Sequence, residues 1–93
     1  MVFQWLKNKI PHRSVVKMRQ NDDILIVCAN SLTIYYFNST AAFFLNSVDG
    51  KATVEDIKNK FLQKYEVDEV MLENDFVDMI RELQWKEILT LEG

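Results

Sequence analysis

Apolar residues fall along this chain in two successive rhythms. From Ser14 to Phe37 they come as short β-branched and aromatic runs: Ser14 to Arg19 (SVVKMR), Ile24 to Ala29 (ILIVCA) and Leu32 to Phe37 (LTIYYF). Runs of this kind, bounded by Asn, Asp and Ser, predict strands joined by turns, and hence a three-stranded meander. Gln20, Asn21, Asp22 and Asp23 have the composition of a hairpin loop. Asn30 and Ser31 form a two-residue connection, since asparagine tolerates the left-handed backbone of a tight turn.

After Phe37 the period changes from two to nearly four. Asn38 or Ser39 caps a first helix that buries Ala42, Leu45 and Val48 before Gly50 supplies a left-handed stop. Thr53-Val-Glu-Asp56 is a capping-box variant that opens a second helix, with Val54, Ile57, Phe61 and Tyr65 on one face. Asp68 caps the third and longest helix, in which Leu72, Phe76, Met79, Ile80 and Leu83 recur at core-stripe offsets. Ile88 to Leu91 has room for a short closing strand or a tail. At the other end, Phe3, Leu6 and Ile10 have helical spacing before Pro11, which disfavours helix in the residue preceding it.

Ninety-three residues, 48% of them apolar and with two glycines and one proline, describe one folded domain with a modest core. Charge divides the chain. Residues 1–20 carry Lys7, Lys9, Arg13, Lys17 and Arg19 and no carboxylate, whereas residues 21–93 carry six bases against fourteen acids. Residues 1–13 are thus a basic arm, either for a polyanion or as a strap on an acidic body. A single cysteine, Cys28, excludes an internal disulfide and a multi-cysteine zinc site; its neighbours Ile24 to Val27 suggest a small buried residue in a cytoplasmic protein. No apolar run reaches the roughly 18 residues of a membrane span, and Met1 to Ile10 lacks the apolar centre of a secretion signal.

Catalytic chemistry is hard to assemble from these residues. His12 is the only histidine and stands far in sequence from Cys28. Glu66, Asp68, Glu69, Glu73, Asp75, Asp78 and Glu82 are spread as a solvated helix face, and no glycine loop is present to cradle phosphate. The reading is therefore of a binder without cofactor or metal. Three helices with a small sheet also suit a winged-helix DNA-binding or transcription-associated domain. Residues 66–85 nevertheless hold seven acids and one base, Arg81, which opposes the counterion release that drives association with nucleic acid. The other candidate is peptide binding by strand addition, in which an extended chain satisfies the free N–H and C=O groups of an edge strand. Tyr35, Tyr36 and Val77 either flank an apolar groove for that chain or complete the core.

The segment from Ser14 to Leu91 resembles the PqqD-like family, the recognition elements of RiPP (ribosomally synthesised peptide) biosynthesis. An ordered set carries the resemblance: the meander, then Phe37-Asn38-Ser39-Thr40-Ala41-Ala42, Asp49-Gly50, Thr53-Val54-Glu55-Asp56-Ile57, Tyr65, and Asp75 to Leu83. It is similar to that family's LN-x-TA … DG … TV-x-EI … L pattern. It departs at Glu87, where the family often has glycine, a change that bears on how the last helix ends. The resemblance implies a winged-helix-like α+β fold, with a three-stranded antiparallel sheet followed by three helices, spanning residues 14–93. It further implies a non-catalytic peptide chaperone that binds the leader of a precursor peptide and presents its core to a modifying enzyme, commonly a radical SAM enzyme. The added strand would pair with the backbone of Leu32, Thr33, Ile34, Tyr35, Tyr36 and Phe37, with Val77, Ile80, Arg81 and Gln84 as side-chain contacts from the last helix. Phe3, Trp5 and Leu6 make the arm a candidate docking element for the enzyme.

Overall fold

The computed structural model describes residues 2–93; Met1 of the basic arm lies outside them. In chain order the elements are α1 (Phe3–Leu6), β1 (Ile10–Arg13), β2 (Val15–Asn21), β3 (Ile24–Ala29), β4 (Ile34–Phe37), α2 (Ser39–Ser47), α3 (Val54–Lys64), α4 (Glu69–Trp85) and β5 (Leu89–Glu92). The strands form two antiparallel sheets, a meander ordered β2-β3-β4 and a two-stranded β1-β5 pair. The expected α+β architecture is present. Ile88 to Leu91 contributes most of a true closing strand, and α1 and β1 precede the meander.

Local chemistry sets the turns. Asn21 still pairs with Ile24, so the first hairpin turns on Asp22 and Asp23 alone, with Asp22 at φ +55°. The second turn is longer than expected. The Asn30 side chain donates to Ser14 Oγ (2.7 Å), and the left-handed residue is instead Leu32, at φ +68°, whose N–H donates to the Ala29 carbonyl. Leu32 and Thr33 therefore belong to the turn, and the third strand of the meander begins at Ile34. Alternation along β3 points Leu25, Val27 and Ala29 into the core and leaves Cys28 on the outer, partly exposed face, against the expectation of burial.

All three long helices start on side-chain caps. Asn38 Oδ1 accepts from Ala41 N–H (3.1 Å), Asp68 Oδ1 accepts from Met71 N–H (3.0 Å), and Thr53 and Asp56 form the reciprocal capping box. Helix α3 has further partners: Val54 N–H donates to the Lys9 carbonyl and Glu55 N–H to the Lys7 carbonyl, each at 2.9 Å. The arm thus supplies acceptors for amides that a helix N-terminus leaves without partners. Phe3 is buried against the core, α1 packs on α4, and Ser14 N–H donates to the Ile88 carbonyl (2.7 Å). Residues 2–13 are folded onto the domain as a strap.

The core gathers around Phe44 and Phe76, whose rings meet edge to face at 5.3 Å, with Ile57, Ile80, Leu83 and Ile88 fully buried. On α4 two expected positions exchange roles. Val77 is buried, because α4 is covered by α1 and α3 together, while Met79 is only partly buried. The Lys58 ammonium lies on the same side of α3, bridging Glu69 (2.8 Å) and Glu73 (2.9 Å) and sitting 5.0 Å from the Phe3 ring centre. Burial opposes its charge, but hydrogen bonds to Glu69 and Glu73 outweigh this and hold its pKa above the usual lysine range.

Helix α4 ends in a Schellman motif. Ile88 N–H donates to the Leu83 carbonyl and Glu87 N–H to the Gln84 carbonyl, with Glu87 left-handed at φ +59°. The stop that glycine would ordinarily make is made here by a strained glutamate. Replacing it, Glu87→Gly, should raise stability by about 1 kcal/mol, read as a higher urea midpoint at unchanged slope. Lys58→Ala should lower stability by about 1–2 kcal/mol at pH 7, a partly screened ion pair being worth less than a fully buried one. Because the folded pKa is raised, this contribution is fully present below the unfolded lysine's pKa, about 10.4. It is lost as pH rises through the higher folded value, so the gap between wild type and variant should narrow in strongly alkaline denaturation series.

Candidate functional site

Strand β4 is an edge of the meander, and no strand among the described residues pairs with its outer side. Which of its groups face that side follows from register. Ala29 N–H donates to the Thr33 carbonyl (2.9 Å), which makes this a hydrogen-bonded pair, and Cys28 pairs with Ile34, Val27 with Tyr35, Ile26 with Tyr36 and Leu25 with Phe37. Hydrogen-bonded and non-bonded pairs alternate in an antiparallel ladder. Tyr35 and Phe37 therefore bond to β3, while Ile34 and Tyr36 direct their N–H and C=O groups away from the sheet.

The opposite edge, β2, is less receptive. A bulge between Val15 and Lys17 breaks its register, and it carries Lys17 and Arg19, devices that blunt an edge against added strands. Strand β4 faces the longest helix across open space. A cleft of about 400 Å³ separates them, lined on one side by Tyr35, Tyr36, Phe37, Asn38, Thr40 and Ala41 and on the other by Asp75, Asp78, Met79 and Glu82 of α4 and its C-cap Lys86.

These α4 positions recur at offsets of three, four, seven and eleven, so they form one stripe of the helix. Glu82 and Lys86 pair at 2.8 Å, and the Lys86 ammonium lies 5.3 Å from the Tyr35 ring centre, closing one end of the cleft. Asp75 and Asp78 have no cationic partner within 4 Å among the described residues. The wall offers three carboxylates and one ammonium around the apolar Met79.

The four α4 residues expected as contacts lie elsewhere. Val77 and Ile80 point into the core, Ile80 at 0% exposure. Arg81 and Gln84 are exposed but do not line the cleft: at about 100° per residue Gln84 falls on the far side from Asp75 and Glu82, and Arg81 on the flank beyond Asp78. Among the strand residues, Ile34, Tyr35, Tyr36 and Phe37 form the edge and Leu32 and Thr33 precede it. The carboxylate stripe went unread because acids at every turn of α4 look like a solvated face; the signal that separates Asp75, Asp78, Glu82 and Lys86 is their common angular position.

His12 stands on β1, with Nε2 3.2 Å from Glu92, and Cys28 stands on β3 of the other sheet. No group of three His, Cys, Asp or Glu residues suited to a metal occurs among the described residues. None of the described helices is long and apolar enough to cross a membrane.

The comparisons with known proteins agree with this fold. The model of the family described as coenzyme PQQ synthesis protein D (PqqD) matches residues 26–89, most of the chain, and the protein belongs to that family. Among solved structures it is similar to TbiB1 in complex with the TbiA(beta) leader peptide, at a TM-score of 0.73 and 20% identity, covering 82% of this chain and 93% of that one. At that identity the likeness is one of fold. No curated protein sequence matches the chain.

Proposed function

We propose that this domain binds the leader segment of a ribosomally synthesised precursor peptide as an added strand on β4, and holds the rest of the precursor for a modifying enzyme in the cytoplasm, without catalysing the modification itself. The observation that carries the reading is the outward backbone of Ile34 and Tyr36 facing an open cleft walled by α4. Membership of the PqqD family and the fold shared with a leader-bound protein support it.

Energetics constrain the binding mode. Two residues offer four outward groups, and hydrogen bonds at a net of about 1 kcal/mol each give roughly 4 kcal/mol. Micromolar affinity needs about 8 kcal/mol. Side chains of the leader must gain the remainder inside the cleft, against Tyr35, Phe37 and Met79. Nothing favours the reading as a duplex-DNA binder: the long helix, the natural recognition element of such a fold, turns carboxylates outward.

The enzyme that receives the core is, on this reading, of the radical SAM class. Trp5 on α1 is a candidate contact for it, since the side chain is 75% exposed although its neighbour Phe3 is buried. Truncating the arm would not test this, because Phe3 and the carbonyls of Lys7 and Lys9 hold the fold.

The decisive experiment uses the leader of a precursor encoded beside a peptide-modifying enzyme. Calorimetric titration should show Tyr36→Pro and Ile34→Pro each binding about five- to thirtyfold more weakly than wild type, because each loses an outward N–H that edge proline does not otherwise need. Wild-type affinity in both variants, with unchanged circular dichroism, would exclude strand addition here. Trp5→Ala should weaken association with the co-encoded enzyme and leave leader affinity intact; an unchanged enzyme complex would place the docking surface elsewhere.

A further inference from the structure

The cleft does not end at Asp75. Beyond Thr40 and Asp75, which line both spaces, a second cavity of about 290 Å³ opens between α3 and the first turn of α4. Its other walls are mainly apolar: Phe61 and Leu72 at its base, and Val67 and Met71 at its rim. Met71 is 65% exposed and Val67 half exposed, so large apolar side chains stand at this mouth with water over them.

We infer that the strand-addition cleft reads a two-part motif, an apolar side chain that fills the recess beside Met71 and basic side chains that face Asp75 and Asp78. This rests on the peptide-binding reading above and adds to it the chemical class of the bound segment. Three features carry it: the recess is continuous with the cleft, its base is apolar, and the carboxylates between recess and strand have no cation of their own.

Geometry sets the spacing. An added strand turns every second side chain toward α4, about 6.6 Å apart. Along α4, Asp75 and Asp78 are about 4.5 Å apart, and Asp78 and Glu82 about 6 Å. Two wall-facing basic residues separated by one residue thus span the carboxylates. From Asp75 to Met71 is one further helical turn, about 5–6 Å, which again equals two residues of extended chain. An added strand that keeps the sheet antiparallel runs opposite to β4, so its N-terminal end lies at the Thr40 end, where the recess is. The recognised sequence is therefore a large apolar residue, any residue, Lys or Arg, any residue, Lys or Arg.

The experiment is selection of a displayed library of random 12-residue peptides on the full-length chain, followed by titration of synthetic peptides made from the enriched sequences. The apolar-basic-basic spacing should emerge. Replacing both basic residues by Gln should weaken binding three- to tenfold, the scale of exposed charge pairs. Replacing the apolar residue by Ser should weaken it about tenfold or more. In Asp75→Asn/Asp78→Asn the Lys and Gln peptides should bind alike, and in Met71→Glu the apolar preference should disappear. Peptides that require the β4 edge, by their sensitivity to Tyr36→Pro, yet show neither preference would overturn this inference and leave strand addition standing. Failure to enrich any peptide, or enrichment indifferent to Tyr36→Pro, would count against strand addition and this motif together.

Discussion

Two residues of backbone that the fold leaves facing water, Ile34 and Tyr36, are the constraint on which the rest of the molecule turns. A free strand edge beside a helix is normally unstable to closure, because the helix can slide over and bury the apolar side chains next to it. Here closure would bring Asp75 and Asp78 into contact with β4, and taking carboxylates without a cationic partner out of water costs more than a few apolar contacts return. The acidic stripe therefore keeps the cleft open as well as lining it.

An open cleft also needs α4 to be held from behind. Its buried face packs on α3 and on α1, and Lys58 ties its first turns to α3 through Glu69 and Glu73. The basic arm takes part in this through its backbone as well as through its buried Phe3. The carbonyls of Lys7 and Lys9 complete the N-terminus of α3, while Phe3 fills the space against α4. Charge asymmetry between arm and body thus describes a strap whose attachment is largely hydrogen bonding and burial, and Trp5 is left over from that packing.

What could be read from residues alone was chemistry that acts within one turn. The caps at Asn38, Thr53 and Asp68 formed where their side chains required, and the β-branched runs made strands, because donors without partners and pleated apolar faces are local demands. The family resemblance rested on these same signals, and the family match bears it out. Legibility failed where two distant segments compete for one residue. Leu32 and Glu87 hold left-handed backbone that their types disfavour, imposed by the hairpin and by the Schellman stop. Cys28 faces outward because β3 has only one buried side, and Val77 went into the core because α1 covers a flank of α4 that periodicity had left bare. For the cleft, the strand that forms its edge was legible from Ile34 onward, whereas the α4 residues that line it lie on another arc than Val77, Ile80, Arg81 and Gln84, since a helical wheel does not say from which direction a neighbour approaches.

Strand addition is nearly blind to sequence, since every residue but proline offers the same N–H and C=O. If about half of the binding energy comes from backbone, discrimination between one extended peptide and another must come from the wall, and the wall is a single helical stripe. Its registration along the cleft is set by the buried face of α4, where Leu72, Phe76, Ile80 and Leu83 lie in the core. The left-handed turn at Glu87 ends the helix just beyond Lys86, whose ammonium lies 5.3 Å from the Tyr35 ring centre. Helix geometry then spaces Asp75, Asp78 and Glu82 at about 4.5 and 6 Å along the wall, and turning the carboxylate stripe out of the cleft would turn the apolar face out of the core with it. Glu87 makes the same left-handed stop that glycine would, so it leaves unchanged the face that α4 turns to the cleft.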